Sequence, residues 1–134
     1  MIDYEGDLWY DRGMPRLELH GNRPLTLNKE RTLHRMARAA IVKDTREAFG
    51  WMAKAQKFPK FKTVHITATP LAKDRRWRQD VAACFPSVKA AIDGLVDVGI
   101  LPEDNPDHVK SLTFLPAEIG DVDGLRIDVE AADV

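Results

Sequence analysis

Alternating apolar and polar residues predict four β-strands. In the segment 63–69, Val64, Ile66 and Ala68 occupy one face and polar residues occupy the other, which is the two-residue period of a strand with one buried side. Pro70 follows and is expected to end this strand, because proline removes a ladder donor. The predicted strands are 16–20, 63–69, 109–115 and 125–130.

Apolar residues at helical spacing predict two helices between these strands. The first helix covers 29–55 with Asn28 as its N-cap, and its expected buried stripe is Leu33, Met36, Ala37, Ala40, Ile41 and Ala48. The second starts at Pro86, where a missing N–H costs nothing, and stops at Gly99, a favoured helix-ending residue. Its buried stripe is Val88, Ala91, Ile92 and Leu95. The order β-α-β-α-β-β predicts an α+β (mixed α/β) fold with helices covering the sheet.

The length of 134 residues predicts one domain spanning 1–134. Residues 1–15 lack a period and are expected to form an N-terminal arm. Its Trp9 and Tyr10 either pack on the body of the domain or contact a partner, and the sequence leaves both alternatives open.

The single cysteine, Cys84, excludes an intrachain disulfide and indicates a reducing compartment. Without a local histidine it is interpreted as a core residue rather than a nucleophile. No apolar run approaches the ~20 residues of a membrane span, and the acidic, glycine-interrupted start does not resemble a signal peptide. We therefore expect a cytoplasmic protein with no membrane partner. One cysteine and four dispersed histidines exclude a standard Cys/His zinc site.

The charge is unevenly distributed, although the net charge is only −1. Residues 29–78 hold 14 of the 20 basic residues and 4 of the 21 acidic ones, which leaves 6 basic and 17 acidic residues elsewhere. A basic region is typical of proteins that bind polyanions. The alternative is a long helix with a solvated, lysine-rich surface.

Two groups of basic residues are candidates for contacts with a phosphate backbone. The basic residues that fall largely off the apolar stripe of the first helix are Arg31, Arg35, Arg38, Lys43 and Arg46, of which Arg31, Arg35 and Lys43 are the candidates for DNA contact. The second group lies in the loop before the second helix and consists of Arg75, Arg76 and Arg78.

The candidate chemistry lies in the stretch 74–104, DRRWRQDVAACFPSVKAAIDGLVDVGILPED. Asp80 precedes the second helix, Asp104 follows it, and Lys89 lies in its first turn. If the chain folds back after the helix, the two carboxylates are expected to converge on a divalent metal that activates water for phosphodiester hydrolysis. Lys89 would neutralise the phosphate, or it would pair with Asp93 four residues along the helix.

This stretch resembles the RusA-like Holliday-junction resolvases, especially their phage-type members. Asp80 matches the family's first aspartate, the segment Lys89-Ala90-Ala91 matches its lysine segment, and Gly99 matches its glycine. The pair Glu103-Asp104 matches the family's acidic turn, with Asp104 at the catalytic position. About thirty central residues carry the specific similarity.

The resemblance implies a structure-selective endonuclease that resolves four-way DNA junctions in recombination and repair. It implies a homodimer acting on branched DNA in the cytoplasm of a bacterial or phage-infected cell. Asp80, Lys89 and Asp104 would be catalytic, and Asp80 and Asp104 would bind Mg²⁺, with Mn²⁺ as a substitute.

The sequence departs from the family pattern at two positions. Ala82 and Ala83 stand where the family has its second aspartate and an asparagine, and alanine cannot bind a metal. Three explanations stay open: the alignment is shifted, the protein binds DNA without cutting it, or another acid substitutes. The candidate acids are Asp74, Asp93 and Glu103. A different class of function, a protein-interaction module that self-associates, is also open.

Overall fold

The computed structural model describes residues 15–77 and 79–132. The expected N-terminal arm, with Trp9 and Tyr10, and the candidate DNA-contact residue Arg78 lie outside the described residues. The described elements are β1 (Arg16–His20), α1 (Leu27–Thr32), α2 (Arg35–Ala55), β2 (Val64–Ala72), α3 (Phe85–Asp97), β3 (Val109–Phe114), β4 (Glu118–Ile119) and β5 (Gly124–Ala131). The α+β prediction is confirmed.

The strands form one mixed sheet in the order β1-β5-β2-β3, and the short β4 also pairs with β2. β5 runs antiparallel to both β1 and β2, with Leu17 opposite Ile127 and Ile66 opposite Val129. β2 and β3 are parallel. Parallel neighbours need a long crossover, and α3 lies within the one that joins them.

The core lies between one face of the sheet and the helices α2 and α3. Its fully buried side chains include Leu17, Phe49, Ile66, Val88, Leu95 and Ile127. The other sheet face carries cross-strand ion pairs, such as Arg16 with Asp128 at 2.6 Å and Arg126 with Glu18 at 2.6 Å. The alternation in the strand sequences thus separates an apolar face from a charged one.

The prediction of one helix over 29–55 is wrong, because this segment forms two helices, α1 and α2. Thr26, not Asn28, caps α1, since its Oγ1 accepts a hydrogen bond from the Lys29 backbone N–H at 3.1 Å. Extended backbone at Leu33 and His34 then interrupts the helix, and His34 Nδ1 accepts from the Met36 backbone N–H at 3.1 Å to start α2. Side-chain caps of this kind compete with helix continuation.

The apolar stripe predicted for that helix is also wrong in its first half. Met36 is 68% exposed and Ile41 is 38% exposed, whereas the buried residues of α2 are Phe49, Gly50 and Ala53. Only the C-terminal half of α2 therefore packs on the core.

Pro70 does not end β2, which continues to Ala72. β3 pairs with β2 as far as Ala68, and β4 begins to pair at Leu71. Pro70 therefore falls in a gap between two partner strands on that side of β2, where a residue without an N–H is tolerated.

The helices α2 and α3 approach closely where two glycines meet. A Cβ atom on Gly94 would lie 2.2 Å from the Arg46 carbonyl oxygen, and one on Gly50 would lie 2.9 Å from the Gly94 carbonyl oxygen. Side chains at these positions would separate the helices. The two glycines therefore allow the short distance between α2 and α3 that places Arg46 beside the surface of α3.

No helix in the described part of the chain is long and apolar enough to cross a membrane.

Candidate functional site

The candidate site is an ion cluster on the exposed side of α3. Lys89 Nζ donates one hydrogen bond to Asp93 Oδ1 at 2.7 Å and a second, shorter one to Asp104 Oδ2. The expected pairing of Lys89 with Asp93 is therefore present, and the structure also brings Asp104 to the same lysine. We call Lys89, Asp93 and Asp104 the lysine cluster.

Backbone geometry after α3 places Asp104 in this cluster. Gly99 has a φ of +82°, a conformation that favours glycine, and it reverses the chain. The Ile100 N–H then bonds to the Leu95 carbonyl oxygen at 2.9 Å, and both Ile100 and Leu101 are buried. These buried residues anchor the acidic turn beside the helix, and the predicted convergence of Asp104 with Asp80 stays a prediction.

The contact between Lys89 and Asp104 favours the charged form of both groups. The hydrogen bond from Lys89 lowers the pKa of Asp104 from its usual 3.8. Partial burial disfavours the charge on Lys89, but hydrogen bonds to Asp104 and Asp93 outweigh it and raise the pKa of the lysine. The cluster therefore joins a Lys89 ammonium to an ionised Asp104 at neutral pH.

A second cation, from α2, extends the cluster. Arg46 Nε and Nη2 donate to Asp97 at 2.5 and 2.7 Å, and its Nη1 lies 4.0 Å from Asp93 Oδ2. The hydrogen bond to Asp97 raises the pKa of Arg46 above its ordinary range. The sequence placed Arg46 on the basic face of the first predicted helix, but its ion pair was missed, because its partner Asp97 is 51 positions away and no local pattern joins the two.

Asp80 lies in the loop between β2 and α3, where its side chain is exposed and its carbonyl oxygen accepts from the Ala83 N–H at 2.9 Å. In residues 15–77 and 79–132, no three histidine, cysteine, aspartate or glutamate side chains are grouped so that they could hold a metal ion. Asp80 is thus not joined to Asp93 and Asp104 in a three-carboxylate site. Its role in catalysis and metal binding stays a prediction.

The carboxylates beside Lys89 nevertheless suit Mg²⁺ that is shared with a substrate. Magnesium prefers oxygen ligands and is often held by one or two carboxylates together with substrate phosphates and waters. Asp93 and Asp104 supply two such carboxylates, and the Asp104 side chain is 38% exposed. The donor set therefore fits a metal bound together with a phosphate rather than an all-protein cage.

Of the three acids considered as substitutes, Asp93 alone contacts Lys89 within the described residues. Asp74 accepts from the Arg76 backbone N–H at 2.8 Å and from its side chain at 3.2 Å, and these bonds lower the pKa of Asp74. Glu103 is exposed beside Asp104. Of the three, Asp93 is thus the one that shares Lys89 with Asp104, and its role as a metal ligand stays a prediction.

The described basic candidates lie at the surface. Arg31 on α1 and Arg35 and Lys43 on α2 are exposed. Arg75 and Arg76 lie in the turn after β2, and the Arg76 side chain is 91% exposed. Exposure leaves these groups accessible to phosphates, and their contact with DNA stays a prediction.

Cys84 has the environment expected of a core residue. It is 2% exposed, and burial raises the pKa of its thiol to about 11. A thiol of that pKa is almost entirely protonated at neutral pH and therefore a poor nucleophile.

Sequence reasoning also missed a contact between Arg23 and Trp77. The Arg23 guanidinium carbon lies 5.8 Å from the centre of the Trp77 ring, within the range of a cation–π interaction. An arginine in a loop 54 positions before its aromatic partner gives no sequence signal.

Comparison with known proteins assigns no family: no model of a protein family matches this chain, and none of the curated proteins matches it significantly.

Proposed function

We propose that this protein is a RusA-like endonuclease that uses Mg²⁺ to cut branched DNA, with four-way junctions as its preferred substrate. The observation that carries the proposal is the lysine cluster, in which Lys89 contacts both Asp93 and Asp104. An exposed ammonium beside two carboxylates has the groups that phosphodiester hydrolysis requires, namely a charge for the phosphate and oxygens for a metal.

Each residue of the cluster has a separate role in this proposal. Asp93 and Asp104 would hold Mg²⁺, with Asp80 as a further candidate ligand; the bound metal would supply an activated water and stabilise negative charge. An ammonium has three N–H donors, so Lys89 can keep both carboxylate bonds and donate the third N–H to a phosphate oxygen. Its raised pKa keeps it charged for this contact.

The basic residues would position the DNA. Arg31, Arg35, Lys43, Arg75 and Arg76 would contact backbone phosphates, which orients a duplex without reading its sequence. The protein would act as a homodimer, because paired cuts in a junction need two active sites. It would act in the cytoplasm of a bacterial or phage-infected cell.

A second candidate function is binding of junctions without cleavage. Two observations favour it: Ala82 and Ala83 replace residues of the family pattern, and in the described residues Asp93 and Asp104 are joined by no third acid. In that case, the lysine cluster would serve recognition or folding alone.

The test is a cleavage assay on a labelled four-way junction and a duplex of matched sequence, with Mg²⁺, Mn²⁺ or EDTA, beside a gel shift on both DNAs. Paired, metal-dependent nicks in the junction alone are expected. Tight, salt-sensitive binding without nicks would select the second candidate. If neither the cleavage assay nor the gel shift distinguished the junction from the duplex, both candidate functions would be overturned.

A pair of lysine variants connects the activity to the cluster. Lys89→Gln removes the charge beside Asp93 and Asp104 and is expected to abolish nicking. Lys54→Gln removes an exposed lysine at the end of α2 and should leave nicking unchanged. If Lys89→Gln nicked the junction as fast as Lys54→Gln does, Lys89 would be excluded from the reaction.

A further inference from the structure

A second surface feature lies apart from the lysine cluster. The loop after β1, the helix α1, Ile41 of α2 and the loop after β2 line an open cleft of about 670 Å³, a size typical of small-ligand sites. Its walls include Trp77 and Ile41 together with Asn28, Lys29 and Gln79. The cleft thus combines an aromatic ring, aliphatic surface, two amide side chains and a cation.

The aromatic part of the cleft is held in place by charged neighbours. Trp77 is half-buried, and the Arg23 guanidinium lies 5.8 Å from its ring centre. Arg23 in turn lies 3.8 Å from Asp123 and 3.9 Å from Asp74. A guanidinium over one face of an indole leaves the opposite face of the ring as a planar surface on which another planar group can stack.

The other groups in the cleft match the chemistry of a nucleotide. The amides of Asn28 and Gln79 each carry donors and acceptors, which suit the hydrogen-bonding edge of a base. Lys29 also lines the cleft and can pair with a phosphate. Arg75 and Arg76 directly precede Trp77 in the chain and are exposed, so cations for neighbouring phosphates lie along the same loop.

We propose that this cleft binds an unpaired base of single-stranded DNA, which stacks on Trp77. A base within a duplex has both faces covered by its neighbours, so an aromatic ring in a cleft can receive a base only where pairing is broken. At a branch point the stack of base pairs is interrupted, so a base there can be freed from its partner at lower cost than one inside a continuous duplex. The inference rests on the proposed action on DNA and adds a subsite for an unpaired nucleotide.

The test compares two labelled twelve-nucleotide strands by fluorescence anisotropy, one of oligothymidylate and one with the same backbone and no bases. Base stacking predicts that the protein binds oligothymidylate about ten- to a hundred-fold more tightly, because phosphate contacts alone would not distinguish the strands. Trp77→Ala should remove this preference and Trp77→Phe should keep most of it. Trp51→Ala is the matched control, since Trp51 is 70% exposed on α2, and it should bind as the wild type does.

The outcomes separate this inference from the proposed function. Equal binding of the two strands by the folded wild-type protein would overturn the cleft proposal, and it would leave junction cleavage standing if that is observed. A preference for oligothymidylate without any preference for junctions would keep the cleft and overturn the proposed function.

A spectroscopic readout covers the case in which Trp77→Ala does not fold. A variant with Trp9→Phe and Trp51→Phe keeps Trp77 as its one tryptophan, because the chain has three. Oligothymidylate should quench the fluorescence of that variant, and the strand without bases should not. Equal signals from the two strands would overturn the proposal independently of the alanine variant.

Discussion

Gly94→Ala is expected to destabilise the protein, although alanine is the better helix former. A Cβ at position 94 would lie 2.2 Å from the Arg46 carbonyl oxygen, whereas ordinary contact begins at 3.4 Å. The helices α2 and α3 would therefore have to separate by about 1 Å, because the obstacle is backbone and cannot rotate away. Overpacking of this kind costs up to about 3 kcal/mol, and the helix propensity of alanine returns about 1 kcal/mol.

The net expectation is a loss of about 2 kcal/mol, which lowers Tm by roughly 6–10 °C for a domain of this size. Urea unfolding followed by circular dichroism measures the loss directly. Gly120→Ala is the control, since a Cβ at that position meets nothing within 4 Å, and its stability should stay within about 0.5 kcal/mol of wild type. If Gly94→Ala were as stable as wild type, the close approach of the two helices would be refuted.

Three smaller predictions concern single side chains. The pKa of Asp104 is lowered by its ion pair with Lys89, so the stability that this pair contributes is present above the ordinary pKa and is lost as pH falls through the pKa of the folded state. Lys89→Gln removes the pair and should cost under about 1 kcal/mol at pH 7, because the pair is exposed. The stability difference between wild type and Lys89→Gln, measured by urea titration, should therefore shrink from pH 7 to pH 2. Within the described residues the buried Thr63 hydroxyl has no hydrogen-bond partner, so Thr63→Val should raise the free energy of unfolding by about 1 kcal/mol, and a loss would contradict that assignment. Cys84 should react with a thiol reagent far more slowly in the folded protein than in urea, because it is buried and protonated; equal rates would disprove its burial.

Much of the fold could be predicted, because the strands and α3 carry strong local signals. The alternation in 125–130 identifies a strand, and Pro86 and Gly99 mark the start and the end of a helix. The buried face of each of these elements follows directly from its residue types. The interruption at Leu33 and His34 was missed because it depends on side-chain caps that compete with a good helical pattern. β2 extends beyond Pro70 because of where β3 and β4 stop and start, and a strand's neighbours cannot be read from its own sequence.

The candidate site could be predicted only in part, for a related reason. Lys89 and Asp93 are four residues apart on one helix, and Asp104 follows a helix-ending glycine, so local rules bring these groups near one another. Arg46 comes from a different helix, and its position depends on the approach of Gly50 and Gly94. Contacts of this kind depend on tertiary packing, which periodicity does not describe.

The central proposal is that the lysine cluster cuts DNA, and the most direct test compares junction cleavage by Asp104→Asn and Asp97→Asn. Both changes remove a carboxylate from the same ion network, but Asp104 contacts Lys89 whereas Asp97 contacts Arg46. In Mg²⁺, Asp104→Asn should reduce the cutting rate at least about a hundredfold with junction binding retained, and Asp97→Asn should cut like wild type. Cutting by Asp104→Asn at the wild-type rate would contradict the proposal.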